Sequence, residues 1–144
     1  MNLFGVLEIS GSALVAERQR AEVVVNNLAN AETTRTPQGG PYSRLHVVFA
    51  AQRASRFSQM LASFTDIRTR GVAVEQVVAD SAPPVRRFDP GHPDADAQGY
   101  VSYPAINPIE EMVNLMGAAR SYQLNASAVQ ATKNMIQATV DILR

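Results

Sequence analysis

Met112-Val-Asn-Leu-Met-Gly-Ala-Ala-Arg-Ser-Tyr-Gln-Leu-Asn125 opens a run, continuing to Leu143, in which apolar residues return at helical spacing. Alternating steps of three and four give Met112, Leu115, Ala119, Tyr122, Ala126, Val129, Lys133, Ile136, Val140 and Leu143, with nine of the ten apolar. A second line, Val113, Met116, Leu124, Ala128, Ala131, Met135, Ala138 and Ile142, shares the same stretch. Between Met112 and Leu143 only Arg120, Lys133 and Asp141 are charged, and the other polar residues are Asn, Gln, Ser and Thr. A solvated helix normally displays charged i, i+4 pairs instead. Two apolar lines on one helix call for more than one partner helix. The helix N-terminus is signalled at Asn107, an N-cap residue, with Pro108 at the first helical position and Glu110 three residues on, as in a capping box. Glu110 and Glu111 also suit the positive end of the helix dipole.

Working outward, the N-terminus carries a matching seam: Leu3, Leu7, Ser10, Leu14, Glu17, Ala21, Val24, Leu28 and Ala31. This predicts a helix from about Phe4 to Ala31, closed by Thr33, Thr34, Pro37, Gly39, Gly40 and Pro41. Asn26, Asn27 and Asn30 lie at its end. They read either as simple fraying or as buried amides that fix helix register. The middle is strand-like at Tyr42 to Phe49, Gly71 to Val78, Val85 to Asp89 and Gly99 to Tyr103, with a Pro90, Gly91, Pro93 turn. Ala50 to Phe64 is ambiguous between loop and short helix. The fold class expected is α+β: two long terminal helices in a coiled-coil-like pair around a small β-rich module. Residues 1–32 and 105–144 form the helical domain, and 33–104 the module. The N-terminal helix is expected to cover one apolar line of the last helix, leaving the other for another subunit.

Composition narrows the function classes. The chain has 144 residues, 13 basic and 13 acidic, and no cysteine. A neutral balance gives no argument for nucleic acid or an anionic membrane surface. Absent cysteine removes disulfides, thiolate catalysis and thiolate-bound zinc. No stretch approaches the ~18 apolar residues of a membrane span, and Leu3 to Ile9 does not read as a secretory signal. A helix lying on a bilayer needs a basic polar face, which Glu8, Glu17 and Glu22 deny to the first helix.

The chemistry-bearing residues form no site. Asp94, Asp96, Gln98 and Gly99 mimic the opening of a calcium loop, but Ala105 stands where a bidentate Glu is needed, and a turn explains them better. His46 and His92 lack metal-ligand spacing. Nucleophile-elbow, P-loop and dinucleotide signatures do not occur. The arginines at 53, 56, 68, 70, 86 and 87 lack the aromatic interleaving of nucleic-acid binders and read as a solvated face or as salt bridges to neighbours. Neither an enzyme nor a cofactor is expected.

Longer strings carry a resemblance. Ser10-Gly-Ser-Ala-Leu14 and Asn26-Asn-Leu-Ala-Asn-Ala-Glu-Thr33 resemble the N-terminal signature of bacterial flagellar rod and hook proteins. Glu110-Glu-Met-Val-Asn-Leu-Met116 and Ala119-Arg-Ser-Tyr-Gln-Leu-Asn125 resemble their C-terminal signature. Pro90-Gly-His-Pro-Asp-Ala-Asp96 followed by Gly99-Tyr-Val101 resembles the family of flagellar basal-body rod protein C, the FlgC family of the proximal rod. Pro104-Ala-Ile-Asn107 departs from that family's usual Pro-Asn-Val-Asn.

The resemblance implies a structural subunit of the proximal rod. It would pack against copies of itself and other axial proteins, with its helices in the rod's inner tube. Export would use the flagellar type III apparatus without signal cleavage, ending in the periplasmic part of the basal body. An export chaperone or adaptor with exposed amphipathic helices is the alternative. The expected subunit interface is Leu7, Leu14, Ala21, Val24, Asn27, Leu28 and Asn30 on the first helix, with Met112, Leu115, Ala119, Tyr122, Ala126, Val129, Ile136 and Val140 on the last. Pro90, Gly91, His92, Pro93, Gly99 and Tyr100 are the family's turn.

Overall fold

The computed structural model describes residues 3–52 and 71–142. Helix α1 spans Leu3–Ala29, and helix α2 spans Pro108–Ile142. Between them lie strands β1 (Leu45–Ala51), β2 (Val72–Ala79), β3 (Val85–Phe88) and β4 (Tyr100–Tyr103). The fold is α+β, two helices flanking two small antiparallel sheets, β1–β2 and β3–β4. The uncertain reading of Ala50 to Phe64 lies largely outside the described residues; Ala50 and Ala51 close β1.

Local chemistry sets the boundaries. After Ala29 the chain leaves the helix through Asn30, whose side-chain amide donates to the Asn26 carbonyl at 2.9 Å. Gly39 and Gly40 then take φ of 90° and 73°, which side chains disfavour, and the Tyr42 N–H returns to the Thr33 carbonyl at 3.0 Å. At the start of α2 the Asn107 Oδ1 accepts the Ile109 N–H at 3.0 Å, a true N-cap, with Pro108 at the first position. The expected capping box does not form: Asn107 Oδ1 takes the Ile109 N–H instead of that of Glu110, and the Glu110 carboxylate meets Arg44 at 2.9 Å.

The β1–β2 sheet pairs Leu45 with Ala79 and Ala51 with Val72, with a register shift between Val48 and Phe49. It docks on α1 at Ser12, whose hydroxyl accepts the Val72 N–H at 3.0 Å and donates to the Ile9 carbonyl at 2.7 Å. Gly71 permits the approach: a Cβ there would lie 2.3 Å from the Ser12 Oγ. In the second sheet Val85 pairs with Tyr103 and Phe88 with Tyr100. Val101 is its one fully buried side chain, a burial worth about 1.5–3 kcal/mol.

The two helices run antiparallel. Asn27 near the end of α1 hydrogen-bonds Glu111 in the first turn of α2, and Arg18 lies within electrostatic range of Tyr122 further along. At about 1.5 Å per residue α2 is roughly 52 Å long and α1 roughly 40 Å. Every expected seam position of α1 from Leu3 to Ala31 is buried or half-buried.

The expected seam of α2 needs correction. Its residues turned inward are Glu111, Ala118 and Thr132, fully buried, with Asn114, Ser121, Asn125 and Ala128 half-buried beside them. Of the first expected line, Leu115, Val129 and Ile136 are half-buried at the edge of this contact. Met112 is 52% exposed, Tyr122 45% and Val140 53%, and Ala119 and Ala126 are also exposed. The second line fares likewise, with Leu124 64% exposed and Val113, Met116, Met135 and Ile142 open to solvent. Helix α1 therefore covers neither apolar line squarely. It covers the polar strip between them.

Candidate functional site

With 100° between successive residues, the surface of α2 divides into four strips. One is the polar seam against α1. On one side of it lie Leu115, Tyr122, Ala126, Val129 and Val140. On the other lie Val113, Leu124, Ala131, Met135 and Ile142. The two apolar flanks face nearly opposite directions, about 170° apart. The fourth strip, turned away from α1, carries Gln123, Ser127, Gln130, Asn134 and Gln137, all exposed. These polar groups partly satisfy one another. Gln130 donates to Asn134 at 3.0 Å, Gln137 to Asp141 at 3.2 Å, and the Ser127 hydroxyl to the Gln123 carbonyl at 2.9 Å.

At one end of the helix pair sits a polar clasp. Asn27, 1% exposed, donates from Nδ2 to the Leu45 carbonyl at 2.8 Å and to Glu111 Oε2 at 3.0 Å. Its Oδ1 accepts the Leu45 N–H at 2.9 Å and the Tyr42 hydroxyl at 3.2 Å. Glu111, also 1% exposed, takes Arg44 Nε on Oε1 at 2.9 Å and a second, closer contact from the same guanidinium. Arg44 reaches Glu110 as well. One amide, one carboxylate and one guanidinium thus tie α1, β1 and α2 together. Burial alone would weaken the Arg44 cation, but its hydrogen bonds to Glu111 and Glu110 outweigh that and hold its pKa above the usual value. Burial, reinforced by the Glu111 charge, pushes the Tyr42 hydroxyl up. Beside the clasp, a cleft of about 290 Å³ opens between α1 and β1, lined in part by Arg20, Val23, Val47 and Phe49.

Of the three Asn residues, Asn27 is thus a buried amide, Asn26 is exposed, and Asn30 serves the helix end. Leu7, Leu14, Ala21 and Leu28 are half-buried and Val24 is buried. The importance of Arg44 and Glu111 was not foreseen from sequence. Arg44 sits in a strand-like run, and Glu111 was read only against the helix dipole.

The Pro90 to Tyr100 segment is a self-bonded loop. Asp96 Oδ1 accepts the Tyr100 and Gln98 N–H groups, each at 2.9 Å, and its Oδ2 pairs with Arg86. The Tyr100 bond leads among the effects that hold the Asp96 carboxyl below the usual range. Asp94 accepts the Thr34 hydroxyl at 2.8 Å, and its own N–H goes to His92 Nδ1 at 3.1 Å. Gly99 has φ of 81°, and a Cβ there would lie 2.9 Å from the Phe88 ring. The two acids of the calcium-like string are therefore engaged in turn chemistry. Arg86 and Arg87 lie over the rings of Tyr100 and Tyr103, with the guanidinium carbon about 5 Å from each ring centre. The arginines at 53, 56, 68 and 70 lie outside the described residues. Among the described residues no three His, Cys, Asp or Glu side chains gather to hold a metal, and no helix is long and apolar enough to cross a membrane.

Both ends of the chain match known families. Residues 7–35 match the family described as Flagella basal body rod protein, and residues 97–142 the Flagellar basal body rod FlgEFG protein C-terminal family. Over its whole length the chain is 34% identical to the flagellar basal-body rod protein FlgC of Borreliella burgdorferi, covering 99% of that protein. It is 39% identical to FlgC of Escherichia coli, with 99% of this chain and 98% of that one aligned. FlgC of Bacillus subtilis is 38% identical, with 99% of each chain aligned. Matches at both helices and full-length identity of this order leave one assignment: the chain belongs to the FlgC family of flagellar basal-body rod proteins.

Proposed function

We propose that this protein, a structural subunit of the flagellar basal-body rod, builds the proximal part of that shaft by seating the two apolar flanks of α2 against neighbouring subunits. Those neighbours are copies of itself and other rod proteins. The observation that carries this reading is the pair of exposed apolar lines on nearly opposite sides of one helix, each beside a seam already filled by α1. A helix so built takes a neighbour on each side, and such contacts are heterologous, so they repeat without closing on a dimer. Tyr122 and Val140 on one flank, and Leu124 and Met135 on the other, are the residues that meet those neighbours.

The fourth strip of α2 fits the same arrangement. Uncharged amides and hydroxyls at Gln123, Ser127, Gln130 and Gln137 suit the wall of a channel through which unfolded chains pass without sticking. Glu or Lys at positions 123, 130 and 137 should then hamper assembly or export. We place the subunit in the periplasmic part of the basal body, delivered by the flagellar type III apparatus without signal cleavage. No observation favours the export-adaptor alternative.

The test is a chromosomal deletion scored by swimming and by electron microscopy of isolated basal bodies, with the intact gene restored in trans. Loss of swimming with particles arrested before the rod, reversed by the intact gene, is the expected result. Complete rods and filaments in the deletion strain would overturn the reading.

A further inference from the structure

Helix α1 packs on a largely polar strip of α2, although a more apolar flank lies on either side of it. The chosen strip offers Glu111, Asn114, Ala118, Ser121, Asn125 and Thr132. A turn of α2 about its axis by roughly a quarter circle would instead present Leu115, Tyr122, Val129 and Val140. Tyr122 and Val140 are about half exposed as things stand. Apolar burial alone favours the turned arrangement, since each large apolar side chain taken out of water is stabilising. Something outweighs that preference.

The clasp distinguishes the two arrangements. In the observed one, Glu111 reaches both Asn27 on α1 and Arg44 beside β1. Asn27 in turn is held by the backbone N–H and carbonyl of Leu45 and by the Tyr42 hydroxyl. Turning α2 would carry Glu111 away and leave the amide and the guanidinium part-buried without their acid, a costly loss for charged partners. We infer that Asn27, Arg44 and Glu111 act as a face selector: they hold α1 on the polar strip of α2, so that neither apolar flank is consumed within the chain and both stay free for neighbouring subunits. This rests on the rod-subunit reading and adds the device that keeps its interfaces available. A buried polar group that fixes which helix faces meet is a known use of such groups.

The clasp is thus a specificity element, and its replacement by apolar residues tests it better than its destruction. In the variant Arg44→Met, Glu111→Leu no charge is orphaned and Asn27 keeps the Leu45 N–H and carbonyl; such swaps of a charge pair are often neutral or stabilising. The chain has no cysteine, so single thiols report which face is covered. Thr132→Cys probes the polar strip, since Thr132 is 1% exposed, and Tyr122→Cys probes a flank. Each is placed separately in the intact and the clasp-replaced full chain, and maleimide labelling rates are measured on the monomer.

With the clasp intact, the thiol at 132 should label slowly and the thiol at 122 quickly. With the clasp replaced, the order should invert, and the clasp-replaced chain without added cysteines should fail to restore swimming to the deletion strain. The same labelling order with and without the clasp, in a helical and monomeric variant, overturns the inference. If the double variant does not fold, Glu111→Gln, which keeps the shape and weakens the hold on Arg44, takes its place. It should speed labelling at 132 and slow it at 122, and unchanged rates overturn the inference equally. Failure of the intact gene to restore swimming would instead strike the rod-subunit reading, whatever the labelling shows.

Discussion

Removing Arg44 would leave Glu111 buried with Asn27 and Asn114 as its hydrogen-bond donors and no cation. A carboxylate stripped of its partner in such a place is strongly destabilising, so Arg44→Ala should cost about 3–5 kcal/mol in urea unfolding of the monomer. A loss below about 1 kcal/mol would mean that water already reaches the pair. Asp96 works at a different strength, in solvent. Its carboxyl titrates below the usual range because it accepts the Tyr100 and Gln98 N–H groups and faces Arg86. A lowered folded pKa contributes stability that is complete above the ordinary carboxylate value and fades as pH falls through the folded value. The β3–β4 turn should therefore loosen on acidification below about pH 4, read as faster amide exchange at Tyr100. Asp96→Asn, which keeps the acceptor oxygen, should remove that acid response while leaving the turn formed. An unchanged response in Asp96→Asn would assign it to another acid.

At the scale of the helix, exposure and function part company. Leu124 is 64% exposed, so Leu124→Asp should move monomer stability by no more than about 0.5 kcal/mol. In a rod the same aspartate would be buried without a partner, at a cost of several kcal/mol, and swimming should be lost. A swimming Leu124→Asp strain would remove that flank from the interface. The helices themselves were plain in the sequence, since spacing by threes and fours, the Asn107-Pro108 start and the Pro37 to Pro41 stop are local signals. The face that α1 occupies was not. Periodicity reports that apolar lines exist, and the largest line is the natural first choice for the in-chain seam. The actual choice is tied by Asn27 and Glu111, 84 residues apart, and by Arg44 in a strand-like run. No window of sequence holds all three. The seam of α1 was legible because its polar members Ser10 and Glu17 still left an apolar majority on one side.

The molecule as a whole is under-packed for its length. Among the described residues the buried aliphatic side chains are Ala16, Val24, Val101 and Ala118, three of them at the helix pair. Helices of this length without an apolar seam of their own depend on neighbours for stability. Amide exchange on a verified monomer should therefore be fast along α2 beyond Ala126, where the clasp is distant, and slower from Glu111 to Ala118. Uniform strong protection to the end of α2 would show that the hairpin is stable alone. The middle module follows from shorter-range rules, with each strand where β-branched and aromatic residues cluster. The docking of β2 on α1 through Ser12 and Gly71 is a contact between distant residues that no local pattern signals.

The most direct measurement is thiol labelling of Tyr122→Cys and Leu124→Cys, one per chain, in the free monomer and in basal bodies isolated from swimming strains that carry each variant as the sole copy. Both thiols should react readily in the monomer and be protected in the assembled particle, since each flank takes a neighbour. A thiol that labels as fast in the intact basal body as in the monomer would contradict the two-flank arrangement.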